Sequence, residues 1–136
     1  MFGRESGEPF MTQTVKFKRV EGNDLPLPRY ATQGAAGMDL RAFLPDGPVS
    51  LAPGEVRLIS TGFHVELPPR TEMQIRPRSS LAIKRKIIIP NSPATIDEDY
   101  RGIVFVGLFQ LANAIFQALD FQLVVAGDAG AVVARV

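Results

Sequence analysis

Asp97-Glu98-Asp99-Tyr100-Arg101 places three carboxylates, an aromatic ring and a guanidinium side by side, just before Gly102 and a nearly uncharged stretch. A charge that leaves the surface needs water, a partner or a metal, so three acids beside an apolar strand must be either solvated or used. Upstream, Arg76-Pro77-Arg78-Ser79-Ser80-Leu81-Ala82 carries the complementary chemistry, because guanidinium forks and hydroxyls match phosphate oxygens. A carboxylate can hold a metal or activate water, and with an Arg/Ser cluster it makes the kit for a phosphorylated substrate. The residues alone leave a second reading open, an acidic surface turn beside a basic loop, since most charge runs are solvated.

The bulk properties narrow the class. A chain of 136 residues suits one domain with its own core. Fifteen basic against fourteen acidic residues give no broad positive field, which argues against a general nucleic-acid binder. Charge is instead local. Arg70, Arg76, Arg78, Lys84, Arg85 and Lys86 are opposed in their segment by Glu72 alone, the pattern of a confined anion site. The absence of cysteine rules out disulfides and thiolate metal sites and fits the cytoplasm, or a nuclear or viral equivalent. No signal-peptide pattern opens the sequence. Residues 1–12 read as a flexible leader, with Met11 a second start, and residues 13–136 as a single β domain. Between residues 103 and 126 the one charge is Asp120, but Gln110, Asn113, Gln117 and Gln122 interrupt the run. It reads as a buried strand pair and not as a membrane span.

The elements that must position these residues are short strands. All eleven prolines lie at or before Pro93, so turns punctuate the first two-thirds. Alternation from Val15 to Val20 predicts an edge strand, and Asn23 to Pro28 an irregular connection. Further strands are expected at Gly37–Ala42, Glu55–Glu66, Thr71–Arg76, Gly102–Leu111, Phe121–Ala126 and Ala131–Val136. Ser79 to Lys86 is the single helical stretch, with Ser79 or Ser80 as its cap. The fold class is all-β, a sandwich or barrel of short strands with one short helix.

Three segments then carry a family resemblance: Ala35-Ala36-Gly37-Met38-Asp39-Leu40-Arg41-Ala42, Arg78-Ser79-Ser80-Leu81-Ala82, and Asn91-Ser92-Pro93-Ala94-Thr95-Ile96-Asp97-Glu98-Asp99-Tyr100-Arg101-Gly102. A weak fourth is Gln122-Leu123-Val124-Val125. In this order and spacing the chain resembles the trimeric deoxyuridine triphosphatases (dUTPases) over about Val15 to Val136. The resemblance implies a jelly-roll-like subunit, a homotrimer with active sites shared between subunits, and Mg²⁺-dependent hydrolysis of dUTP to dUMP and pyrophosphate. From the charge balance and the interrupted apolar run, no nucleic-acid or membrane partner is expected.

Carried over residue by residue, the resemblance makes Asp97 the carboxylate that activates water, where the residue alone could equally cap a turn. Tyr100 becomes the platform beneath the deoxyribose, leaving no room for a 2′-hydroxyl. Asn91 and the backbone of Ala94, Thr95 and Ile96 resemble the hairpin that reads uracil, an amide offering both donor and acceptor. Arg78, Ser79 and Ser80 would hold the triphosphate, and Gln122 would reach phosphate. Asp39 would reach Mg²⁺ through water; its plainer role is a strand-end acid paired with Arg41. The Phe105 backbone would border the site, with its side chain in the core. His64 is read as structural. Ala94 and Ser80 stand where the family commonly has glycine.

Two segments depart from the family. Gln117-Ala118-Leu119-Asp120-Phe121 precedes Gln122 where a Gly-Asp-Arg hairpin is usual, so the fourth motif is degraded. The Gly-rich fifth motif, an arm with Arg and Phe that closes over the nucleotide, is not in the sequence, and reduced turnover is expected in consequence. A dUTP-binding regulatory relative without catalysis, and a dCTP deaminase of the same fold, are the alternatives. The intact Asp-x-Asp-Tyr signature argues against the deaminase.

Overall fold

The computed structural model of the protein describes residues 13–111, 114–116, 120–127, 130–131 and 134–135; the leader expected at residues 1–12 lies outside them, as does Val136. In chain order the elements are β1 (Gln13–Thr14), β2 (Lys16–Arg19), β3 (Arg29–Tyr30), β4 (Met38–Arg41), β5 (Val49–Leu51), β6 (Val56–Glu66), β7 (Thr71–Pro77), α1 (Ser79–Arg85), β8 (Ile87–Ile88), β9 (Ala94–Ile96), β10 (Ile103–Gln110), β11 (Ala114–Phe116), β12 (Asp120–Gly127), β13 (Gly130–Ala131) and β14 (Ala134–Arg135). The expected strands are present with shifts of one or two residues at most ends. The last one is split between β13 and β14.

Two main sheets enclose the core. One has the order β2-β6-β10-β8, and the other β3-β4-β12-β7-β9 with β13 also paired to β12. The period of two puts alternate side chains on opposite faces. Met38 and Leu40 of β4, with Met73 and Ile75 of β7, therefore join Ile59, Phe63, Val65, Val104, Val106 and Leu108 of the other sheet in one cluster. Asp39, between Met38 and Leu40, consequently falls on the face away from the core, and so does the exposed Arg76. As expected, β2 is an edge strand, with exposed Lys16 and Lys18 alternating about Val15 and Phe17, which pack inward.

Two expectations need correcting. The stretch from Ile103 is not buried on both faces. In β10 Val104, Val106, Leu108 and Gln110 point inward, while Phe105 is exposed and Gly107 and Phe109 are half-buried. Its low charge reflects an apolar outer face as well as a core face. The helix is also not capped by a serine. Its N-cap is Arg78, in extended conformation, and no side chain caps the first turn. Ser79 and Ser80 lie one and two positions too late to fold back on the N–H groups that a cap satisfies.

The helix ends in a left-handed residue, Lys86 with φ 54°, whose N–H donates to the Ala82 carbonyl. That conformation costs a residue with a Cβ roughly 1–2 kcal/mol, and glycine commonly occupies it at helix ends. Lys86→Gly is therefore expected to stabilise the fold by about 1 kcal/mol after allowing for glycine's greater unfolded entropy. Thermal denaturation of the two proteins would show the raised midpoint.

Candidate active site

The first cluster gathers the phosphate-type residues at the end of β7. Arg78 follows directly on that strand, and its Nη1 lies 3.3 Å from Asp39 Oδ2. The strand-end acid thus pairs with Arg78, 39 positions away, where the plainer reading had put Arg41. Strand register explains how the two meet. Asp39 is aligned with Arg29 on one side and with Gln122 on the other, and Gln122 is aligned with Arg76 of β7. A single row, Arg29–Asp39–Gln122–Arg76, thus crosses four neighbouring strands. Cross-strand partners of opposite charge attract, and here an acid stands with arginines in the same row. Ser79 and Ser80 are exposed in the first turn of α1, next to Arg78. A cleft of about 430 Å³ opens at Asp39, lined also by Pro26, Leu27, Arg29, Tyr30, Ala31 and Arg41. The side chain of Asp39 is 29% exposed, so its carboxylate stays hydrated while it is paired.

The second cluster is the acidic loop, which binds itself together. Tyr100 N–H donates to the Asp97 carbonyl at 3.1 Å, closing a turn. The Arg101 guanidinium does not reach the neighbouring acids; its Nη1 donates to the carbonyls of Glu98, at 2.6 Å, and Tyr100, at 2.9 Å. The Tyr100 hydroxyl donates to the Ile103 carbonyl at 2.7 Å, which fixes a ring that is 37% exposed. His64 Nδ1 lies 2.9 Å from the Arg101 carbonyl, an acceptor, so Nδ1 carries the proton. His64 is thereby structural, as read. Glu98 Oε2 accepts the Arg70 backbone N–H at 2.6 Å.

The hairpin residues lead into this loop. Ala94, Thr95 and Ile96 form β9, paired with Ile75, Gln74 and Met73 of β7. Ala94 is buried and Asn91 exposed. The Ser92–Pro93 peptide bond is cis. Asn91 Oδ1 comes within 4.0 Å of the point where a Cβ on Gly107 would lie, so it reaches the outer face of β10. Phe105 is on that same face and is 46% exposed. The expectation of a core side chain there fails, because the β10 alternation sends Val104 and Val106 inward.

Within one chain the two clusters are held apart. The loop begins after Ile96, which is opposite Met73, whereas Arg78 lies five residues further along β7. At about 3.3 Å per residue that is a separation of about 16 Å. Asp39, Arg78, Gln122 and the serines gather at one end, and Asp97 and Tyr100 at the other. Among the described residues no group of three or more His, Asp or Glu could hold a metal by itself. The Lys16 ammonium, hydrogen bonded to Glu66, holds that carboxyl below its usual value, with a smaller contribution from Arg101. Glu66 lines a separate cleft of about 450 Å³ with Lys18, His64 and Arg101. Three participants escaped the sequence reading. Arg29 gives no local signal, since only register aligns it with Asp39. The roles of Glu98 and Arg101 depend on backbone partners that side-chain types do not reveal.

A model of the dUTPase family matches residues 23–119. The deoxyuridine 5′-triphosphate nucleotidohydrolase of Caulobacter vibrioides is 53% identical over 104 residues, covering 75% of this chain and 67% of the relative. The enzyme of the same name from Roseobacter denitrificans is 50% identical over 106 residues, covering 76% and 70%. Among solved structures, the dUTPase of Streptococcus mutans superposes with a TM-score of 0.73 at 23% identity, covering 82% of this chain and 94% of that one. A mutant dUTPase from phage phi11 of S. aureus, solved to detail the coordination of a structural Mg(II) ion, reaches 0.68 at 20% identity, covering 84% and 90%. These structures share the jelly-roll fold with this chain.

Tyr100 depends on its neighbour. A Cβ on Gly102 would lie 2.6 Å from the Tyr100 hydroxyl and 2.8 Å from Cζ. Gly102→Ala must therefore displace the ring and break its bond to Ile103. A loss of about 1–3 kcal/mol is expected from overpacking. Thermal denaturation would register it, and a changed tyrosine NMR signal would locate it at Tyr100.

Proposed function

Because the chain belongs to the dUTPase family, we propose that it hydrolyses dUTP, with water, to dUMP and pyrophosphate. The observation that carries this reading is the contact between Asp39 and Arg78. It joins two separate motifs into one polar surface, beside an open cleft and two exposed serines. Arg78 offers a fork of donors to phosphate oxygens, and the hydroxyls of Ser79 and Ser80 add to it. Gln122, aligned with Asp39, extends the row.

At the other end Asp97 takes the proton from the attacking water. The water oxygen bonds to the α-phosphorus as the bond to the bridging oxygen breaks, and pyrophosphate leaves in line. Tyr100, held through its hydroxyl, is a flat floor under the deoxyribose that leaves no space for a 2′-hydroxyl. Asn91 and the backbone of Ala94, Thr95 and Ile96 read the uracil edge. The wrong base leaves a buried polar group unpaired there, and that is where the discrimination arises. The residues fit Mg²⁺: a single hydrated carboxylate, Asp39, suits an ion that keeps several waters and takes substrate phosphates as ligands. When bound, the ion neutralises phosphate charge.

Assembly would bring the two clusters together. Val56 and Leu58, the latter 70% exposed, share the outer face of β6 and β10 with Phe105. Asn91 reaches this face. A second copy of the chain covering this apolar face would lie against the hairpin. The clusters of different subunits would then complete each other in a homotrimer.

Two outcomes test this. Purified protein with Mg²⁺ and dUTP is expected to release pyrophosphate. Asp97→Asn is expected to lose roughly 10²-fold or more in turnover, as for a general base, while dUTP still binds; unchanged turnover would mean another carboxylate does the work. Light scattering should give three times the subunit mass, and Leu58→Glu should shift it towards monomer with loss of turnover. A wild-type monomer at micromolar concentration would sink the shared site.

A further inference from the structure

We propose that Glu98 is a positioning residue that hangs the loop bearing Asp97 and Tyr100 on the turn between β6 and β7. The inference rests on the catalytic reading above. Of the three consecutive acids, Glu98 alone is tied down. Its Oε2 accepts the Arg70 backbone N–H at 2.6 Å, across 28 positions of sequence. Among the described residues the side chains of Asp97 and Asp99 make no hydrogen bond or ion pair. The acidic run is thus divided by role, with the middle acid as a tether and its flanking acids left open to water and ligand.

The turn is a firm peg. Arg70 sits in the left-handed region with φ 60°, which sets the direction of its N–H. Thr71 Oγ1 donates to the Pro68 carbonyl at 2.7 Å, and Thr71 is buried. On the loop side the Glu98 backbone is braced as well, because its carbonyl accepts from Arg101. A hydrogen bond to a charged acceptor is stronger than a neutral one. This bond fixes the residue immediately after Asp97. The far end of the loop is held by Tyr100 through Ile103. Removing the Glu98 carboxylate leaves Asp97 held by the β9 ladder and by the Tyr100 N–H on its carbonyl, with no tie to the β6–β7 turn. A shift of an ångström in a reacting group can cost about 10²-fold in rate, and one felt mainly in the attack geometry lowers kcat more than it raises KM.

The test compares wild-type protein with Glu98→Ala, Glu98→Gln and Glu98→Asp, reading kcat and KM for dUTP and the amide hydrogen exchange of Arg70 and Tyr100. Glu98→Ala is expected to speed Arg70 exchange and to lower kcat about 10- to 10²-fold with a much smaller change in KM. Glu98→Gln keeps an acceptor of the same reach and should recover most of the rate. Glu98→Asp keeps the charge but falls one methylene short, and should behave like the alanine variant. Faster Arg70 exchange with unchanged kcat would reduce the contact to a stabilising one and overturn the proposal. So would unchanged Arg70 exchange in Glu98→Ala, or a glutamine variant as slow as alanine. If wild-type protein releases no pyrophosphate from dUTP, the functional reading fails separately. The tether is then judged by exchange alone: Tyr100 exchange rising with that of Arg70 supports it, and an unmoved Tyr100 overturns it.

Discussion

Strand β7 is locked on both edges, and both candidate clusters take their positions from it. It is paired along its whole length with β12 on one side, and with the three residues of β9 on the other. The phosphate-type residues follow its last residue, and the acidic loop departs opposite its first half. A paired strand cannot be shortened or bent without breaking its ladder, so the distance between the two clusters is set by the pleat. Its inward side chains, Thr71, Met73 and Ile75, are buried. A slip of one residue would send them to solvent, which gives the core its hold on the register and, through it, on the site.

The register in turn organises the electrostatics. Arg29, Asp39, Gln122 and Arg76 come from four distant parts of the chain and align because their strands do. One acid among three arginines, counting Arg78, leaves a net positive surface of the kind that receives a polyphosphate. The Asp39–Arg78 pair is partly exposed on both sides, so its worth to stability is small. Under the proposed function it would orient the guanidinium, which would exchange partners or share them when an anion enters.

The acidic loop follows a different logic. Its order comes from backbone carbonyls captured by its own side chains, and a missing Cβ at Gly102 admits the Tyr100 ring. Loops of this kind hold functional groups on a rigid scaffold while leaving them solvent-accessible. The scaffold here includes the His64 ring and the turn at Arg70, neither of which carries a chemical signal of its own. The outer face of β6 and β10, with Leu58 and Phe105 uncovered, is the apolar counterpart. It adjoins the hairpin through Asn91, so the proposed recognition and assembly would meet on one surface.

Local pattern was enough for the all-β class, the short helix at Ser79–Arg85 and the identities of the chemical groups. Period-two alternation and turn residues are local properties, and the motifs Arg78-Ser79-Ser80 and Asp97-x-Asp99-Tyr100 are contiguous. It also located the longer strands, β2, β4, β6, β7, β10 and β12, to within a residue or two, and gave no sign of the two- and three-residue strands β1, β3, β5 and β11. What it could not determine is which groups meet. Asp39 is adjacent to Arg41 in sequence, yet Arg78 is its partner, because strand pairing brings the end of β7 alongside β4. Phe105 lies in an apolar run that suggested a core position, yet the pleat turns it outward, since composition does not record which face of a strand an alternating residue takes. Glu98 was one acid among three until the β6–β7 turn supplied an N–H for it. Partnerships of this kind depend on contacts between residues remote in sequence, and only the packed sheets decide them.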